Sequence, residues 1–249
     1  MSAEAKGRRA WLSAPSVDRS LGTKLLPSVL SLTAGSADVI SFLGLGGLFT
    51  AHITGNLVIL AAHVVSGDEA QLAPMLSVPV FMMVLGLTRL LAGGLEAIGL
   101  ASLRPLLLLQ FLLLAGSLVL CVAPGPSVNL SAANAIVAGM LGVSAMAVQN
   151  ALVQISLKGA PSTAVMTTNI TRFMMDLGDV LLARDADEMA KARNRAKHTW
   201  PALVGFTAGC GLGAACEATF GLRSLALPAG LALLALALSF TVKSSDGAR

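Results

Sequence analysis

Two short phrases in this oily chain carry matching polar side chains, TAHITGNL at residues 50–57 and TAVMTTNI at 163–170. Five of the eight columns agree in kind: Thr50 with Thr163, Ala51 with Ala164, Thr54 with Thr167, Asn56 with Asn169, and Leu57 with Ile170. Hydroxyl and carboxamide groups in apolar surroundings either bond a neighbouring helix or face a polar guest. At the first turn of a helix, free N–H groups and the positive end of the helix dipole add attraction for anionic or polar solute groups. Thr50, Thr54, Asn56, Thr163, Thr167 and Asn169 are therefore candidate substrate-binding residues. His52 joins them as a titratable group present in one copy only, opposite Val165.

Two isolated charges stand near these phrases. Asp38 is the only Asp, Glu, Lys or Arg between Leu25 and Gly67, and Arg89 sits in the middle of LGLTRLLAG. An ionisable side chain inside a membrane span costs at least a few kcal/mol and is a functional candidate by default. Asp38 is expected to be a proton-coupling group, the ion-pair partner of Arg89, or both. Arg89 is expected to neutralise Asp38, hold an anionic substrate, or snorkel with Glu96 toward the membrane surface. Arg172 and Asp176 have the i, i+4 spacing of a helical ion pair, with Asp179 beyond. Cys121, Cys210 and Cys216 lack metal-ligand or disulfide spacing and read as small buried hydrophobes. There is no phosphate-binding glycine loop, no H-E-x-x-H, no G-x-S-x-G and no Cys/His cluster, so the sequence points to no metal, no cofactor and no enzyme activity.

The elements that must position these residues are set by composition. Hydrophobic residues make up 55% of the 249, charged residues 12%, and mean hydropathy is +0.79. A soluble domain carries about 25% charged residues, which this chain cannot match. Residues 105–157 contain no Asp, Glu, Lys or Arg, and the stretches 39–67, 70–88, 200–216 and 224–242 are equally free of them. Crossing the hydrocarbon layer takes about 20 apolar residues, and backbone groups there must be satisfied within the segment, which makes the segments helices. The expected class is an all-α polytopic membrane protein, whose partner is the lipid bilayer and whose net charge of +4 reports topology instead of nucleic-acid binding.

Apolar segments fall near 25–46, 52–66, 76–97, 105–123, 132–157, 163–183, 200–218 and 224–242. Laying the second four on the first four sets Asp38 against Asn150. It also matches Pro79, which opens one segment, with Pro201, which opens another; Glu96 with Glu217; and Arg104 with Arg223. The expected organisation is a cytoplasmic tail at 1–24, a first repeat at 25–123 and an external linker at 124–131. A second repeat follows at 132–242, including a cytoplasmic loop at 184–199, and a cytoplasmic tail closes the chain at 243–249. Basic residues favour the cytoplasmic side. Their distribution fits six crossings with 52–66 and 163–183 re-entrant, and two inverted halves, better than eight full crossings. Thr50 in the first copy, and Thr163 or Ser162 in the second, are the expected N-caps of the re-entrant helices. The glycines at 86, 93, 94, 205, 209, 211 and 213 are expected to serve close helix packing.

LTAGSADVISFLGLGGLFTAHITGNLVIL, residues 32–60, resembles the opening of the YoaK family of bacterial integral membrane proteins. VQNALVQISLKGAPSTAVMTTNITRFMMDL, residues 148–177, is similar to that family's second phrase. The resemblance covers nearly the whole chain. It implies a multi-pass protein of the bacterial inner (plasma) membrane with about six spans, and it brings no assigned substrate or reaction. The function expected from the residues is a secondary transporter or permease for a small polar or anionic solute, sited between two broken-helix N-termini, with both chain termini cytoplasmic and a homo-oligomer as a further partner class. The rival expectation is a non-transporting scaffold or accessory subunit. A third, an intramembrane enzyme, lacks a nucleophile–base pair.

Overall fold

The computed structural model of the protein describes residues 21–66, 72–123 and 132–241. Most of the two expected tails and the expected linker 124–131 lie outside the described residues. The described chain forms eight α-helices and one 3₁₀ turn: α1 (Leu21–Gly44), α2 (Ile53–Ser66), α3 (Leu72–Ala97), α4 (Leu103–Val122), α5 (Ala132–Ser156), α6 (Met166–Leu182), α7 (Ala186–Phe220), the turn Gly221–Leu225, and α8 (Ala226–Ser239). No strand occurs among the described residues. Five helical runs are long and apolar enough to cross a membrane: Leu25–Gly44, Leu72–Ala97, Leu103–Val122, Ala133–Ser156 and the continuous Ala186–Ser239. The protein is an all-α, multi-pass membrane protein.

Three core clusters, stacked along α1, give the direction of every long helix. At one end Leu26 and Leu30 pack with Ala92, Leu106, Leu107, Val148, Leu152 and Ala235. In the middle Ala34 and Ala37 pack with Ala51, Leu114, Met146, Ala164 and Ala232. At the other end Ile40 packs with Leu45, Leu48, Cys121, Ala138, Val143 and Leu225, with Val80 and Phe81 against them. Reading residue numbers across the levels, α4 runs with α1, whereas α3, α5 and α8 run against it. Helix α7 also runs with α1, since Gly205, Gly209 and Gly213 abut Ser28, Leu32 and Ser36 in turn. The 54-residue run therefore reverses at Gly221, whose φ of 57° belongs to the region glycine occupies most easily. Six traversals result: α1, α3, α4, α5, the apolar part of α7, and α8.

The seam between α1 and α7 explains three of the glycines. A Cβ on Gly205 would lie 2.6 Å from the carbonyl oxygen of Ser28, and one on Gly213 3.0 Å from that of Ser36; Gly209 is crowded by Leu32 in the same way. Glycine at four-residue intervals lets the two backbones touch, the usual device for helices without a hydrophobic driving force between them. Gly86, Gly94 and Gly211 do not share this role, because nothing lies within 4 Å of a Cβ placed there, and Gly93 meets only the Arg89 side chain.

Two expectations about segment ends are corrected. Residues 186–199, expected as a loop, are the first half of α7. The stretch is rich in strong helix formers, and its start is secured by Asp185, whose side chain accepts from Glu188 N at 2.7 Å. Pro79 and Pro201 lie inside α3 and α7 and do not open them. Each helix extends into the residues before its proline, a placement that membrane bundles tolerate.

Candidate functional site

After Gly44 the chain turns back toward the middle of the bundle, with Gly46 and Gly47 both at positive φ. There it meets Asp38, which is 2% exposed. Asp38 Oδ1 accepts from Thr50 N at 2.8 Å, Ala51 N at 2.6 Å and Thr50 Oγ1 at 3.2 Å. Oδ2 accepts from His52 N at 3.1 Å and lies 3.1 Å from His52 Nδ1. The carboxylate thus caps the start of α2 from a different helix. Successive N–H groups aimed at one oxygen form the concave anion site that helix starts favour.

Helix α2 then runs back to the end from which the chain came, since α3 begins at that same end. The segment 45–66 is therefore a re-entrant hairpin. Asn56 holds its entry: Nδ2 donates to Phe49 O at 2.7 Å and to Ser77 Oγ at 2.8 Å, while Oδ1 accepts from Phe49 N at 2.9 Å.

The second phrase forms a similar turn from the opposite end. Residues 157–165 leave α5 and bring Ala164 into the middle cluster that also holds Ala51. Asn169 Nδ2 donates to Ser162 O at 2.6 Å, seven residues back, as Asn56 does to Phe49. Ser162 Oγ accepts from Val165 N at 2.9 Å. Gln149 Nε2 donates to Thr163 Oγ1 at 2.9 Å and to Leu30 O at 2.9 Å, and Gln110 Nε2 donates to Gln149 Oε1 at 2.6 Å.

The residue facing the second turn's threonine is thus Gln149, one place before the expected counterpart of Asp38. Asn150 donates to Met146 O of its own helix instead. Ser162 is the N-cap-like acceptor of the second turn, whereas Thr50 and Thr163 spend their hydroxyls on Asp38 and Gln149.

Of the sequence-derived candidates, Thr50, Asn56, Thr163 and Asn169 are fully buried or nearly so, and the His52 side chain is 41% exposed. Thr54 and Thr167 are exposed and face away from the turns' interior. Arg89 is also exposed and forms none of the ion pairs among the described residues; its guanidinium lies along its own helix beside Gly93. The pairing of Asp38 with Arg89 is therefore not formed, because the backbone of 50–52 saturates the carboxylate. Arg172 does not pair with Asp176 either. Arg195 of α7 takes both carboxylates, at 2.6 Å from Asp176 and 2.7 Å from Asp179. Asp176 foremost, then Asp179, raise the Arg195 pKa.

Two features were not legible from spacing. Phe49 and Phe206 flank the His52 ring, with centroids 6.0 and 5.9 Å away. The Gln110–Gln149–Thr163 chain links three elements through uncharged groups that the phrase comparison passed over. Among the described residues no cluster of three or more His, Cys, Asp or Glu could hold a metal ion.

The profile of a family described as "Protein of unknown function (DUF1275)" matches residues 26–238. UPF0700 transmembrane protein YoaK of Bacillus subtilis (strain 168) is 60% identical over 35 residues, which is 14% of this chain and 16% of that protein. The match therefore spans well under two thirds of that relative's length. No solved structure matches the chain.

Proposed function

The chain belongs to the DUF1275 family of proteins of unknown function, and within it we propose that this member is a proton-coupled secondary transporter for a small polar or anionic solute, not an enzyme. The observation that carries the reading is the Asp38–His52 pair. A buried carboxylate in the middle of the bundle grips the start of a re-entrant helix, beside a half-exposed imidazole. A charge at that depth is costly without a use, and broken helices whose N-termini face a mid-membrane site are a recurring transporter device. Protonating Asp38 removes the charge assistance from the N–H bonds of 50–52 and loosens the first hairpin; the second hairpin, entering from the opposite end, supplies the other half of the site.

In this reading the chain is an inverted repeat of three traversals plus one re-entrant hairpin, twice over. The seven-residue Asn clips at 56 and 169 support that duplication. The protein sits in the bacterial plasma membrane, with both termini and the basic half of α7 on the cytoplasmic side. It meets a solute and the bilayer, with self-association as a further partner class.

One observation favours a rival reading as a membrane scaffold. The middle is tightly packed: Thr50 and Thr163 are 0% and 1% exposed, and a Cβ on Gly142 would lie 3.0 Å from Thr50 Cγ2. A transporter must open this layer during its cycle, whereas a scaffold never does. Purified protein in liposomes loaded with a pH-sensitive dye separates the two. A transporter moves protons when one of a panel of small metabolites and anions is added outside, and a scaffold gives no response to any of them.

A further inference from the structure

Helices α6 and α7 form a hairpin that leaves the bundle at one end. Gly205 abuts Ser28 of α1, and the register holds through Gly209 with Leu32 and Gly213 with Ser36. Ala202 therefore stands level with Leu25, where the first span begins. At 1.5 Å per helical residue, Arg195 lies about 10 Å beyond that level and Ala186 about 24 Å. Six of the 14 residues 186–199 are charged, which keeps this half of α7 out of the hydrocarbon. Arg195 holds Asp176 and Asp179, so the second half of α6 lies out there beside it. Yet its outer side is apolar. Ile170, Met174, Leu177 and Leu181 are 53%, 55%, 40% and 79% exposed. Spaced by four, three and four residues, they draw one stripe along the helix, which Met175 and Leu182 widen. Lipid tails do not reach past the membrane surface to cover it, and exposed apolar patches in water mark docking surfaces.

We infer that this face docks on the same face of a second copy of the chain, α6 against α6. The four-three-four spacing is that of a coiled-coil seam. Two copies inserted the same way in one membrane share a two-fold axis along the membrane normal, and α6, running beside α7, lies along that axis. The paired helices are then parallel, and each stripe residue meets its own counterpart. Self-pairing of this kind fails where like charges face one another. The charged residues of α6 all avoid the stripe: Asp176 is buried toward α7, and Arg172 and Asp179 occupy the heptad position opposite the seam. The positions flanking it, Thr171, Phe173, Gly178 and Val180, are uncharged, and a Cβ on Gly178 would meet nothing within 4 Å, so a second helix has room to approach. A membrane surface would call for basic residues beside the stripe, and the chain's own basic residues Lys6, Arg8 and Arg9 would call for acidic ones; the flanks offer neither. The pairing rests on the self-association in the reading above and not on transport.

Cysteine cross-linking of the full chain in liposomes tests it, with Cys121, Cys210 and Cys216 changed to alanine. Leu177→Cys and Leu181→Cys are each expected to give a covalent pair under mild oxidation, and Asp179→Cys, between them on the far side of the helix, is expected to give none. Light scattering in detergent should find the unaltered chain at twice its 25.3 kDa and the double variant Leu177→Asp, Leu181→Asp at the mass of one chain. If the double variant fails to fold, cross-linking and the mass of the unaltered chain decide. Equal cross-linking at all three positions, none at 177 and 181, or a single-chain mass for the unaltered protein would overturn the pairing. A single-chain mass with Leu181→Cys shielded from a water-soluble maleimide would give the face to the membrane surface or to the chain's own first residues instead. Cross-linking at 177 and 181 without solute flux would leave the pairing standing and the transport reading disproved, and flux without cross-linking would do the reverse.

Discussion

Asp38→Ala removes the one group that satisfies the start of α2. Its carboxylate accepts from three backbone N–H groups and the Thr50 hydroxyl, and it orients His52. Thr50 and Ala51 are 0% and 7% exposed, so water cannot replace the lost acceptor without opening the bundle. Leaving a buried donor unpaired costs about 1–3 kcal/mol, and a hydrogen bond to a charged group contributes about 1.5–3 kcal/mol. With two such donors stranded, a loss of roughly 3–5 kcal/mol follows, the size seen when buried charged partners are broken. For a chain of this length that is a melting shift of very roughly 6–20 °C, at about 2–4 °C per kcal/mol. Asp38→Asn keeps an oxygen for Thr50 and Ala51 but turns an NH2 toward His52, so about 1–2 kcal/mol is expected. Thermal melting in detergent measures the order, and amide hydrogen exchange locates it: residues 50–53 should lose protection in both variants while the α1–α7 seam keeps its own. Melting of Asp38→Ala at the temperature of the unaltered protein would refute the reasoning, because the carboxylate would then not be holding the hairpin.

Three further outcomes follow from the packing. Asp38→Asn and Arg89→Gln should have additive effects, with Arg89→Gln alone within about 0.5 kcal/mol of neutral, since the two side chains do not meet; a double-mutant cycle in thermal melting checks this, and a non-additive term above about 1 kcal/mol would contradict it. Asn56→Ala, which loses three hydrogen bonds, should cost roughly 2–3 kcal/mol, whereas Asn169→Ala, which loses one to a protein oxygen, should cost about 1 kcal/mol; equal melting temperatures would argue against the half-closed second clip. Gly209→Ala should destabilise by about 1–3 kcal/mol, because its new Cβ meets the Leu32 backbone, while Gly211→Ala should be silent; the pair compared by melting is its own control.

The class of the protein was legible because charge-free stretches of twenty residues and more have few other uses. The re-entrant hairpins were legible too, from the shortness of 52–66 and the glycines before it, and so was the burial of Asp38. Its partner was not. Sequence shows two lone opposite charges, Asp38 and Arg89, and the simplest expectation pairs them; only the fold reveals that the backbone of 50–52 reaches the carboxylate first. The same blindness hid Arg195, nineteen residues from Asp176, behind the nearer Arg172. The phrase columns told which residues repeat but not which way they point, so Thr54 and Thr167 were grouped with Asn56 and Asn169 although they face outward. Gln149 was passed over because an uncharged amide one column from Asn150 gives no signal of its own.

Exchange and accumulation, compared in the same liposomes, test the central claim that Asp38 couples protons to solute movement. The solute is whichever one moves protons in the dye-loaded liposomes. The unaltered protein should show both counterflow, the exchange of labelled for unlabelled solute at equal pH, and uphill accumulation when a pH gradient is imposed. Asp38→Asn should retain counterflow, because the hairpin and the site remain, and should lose accumulation, because the group that carries the proton is gone. Undiminished pH-driven accumulation by Asp38→Asn would contradict the account.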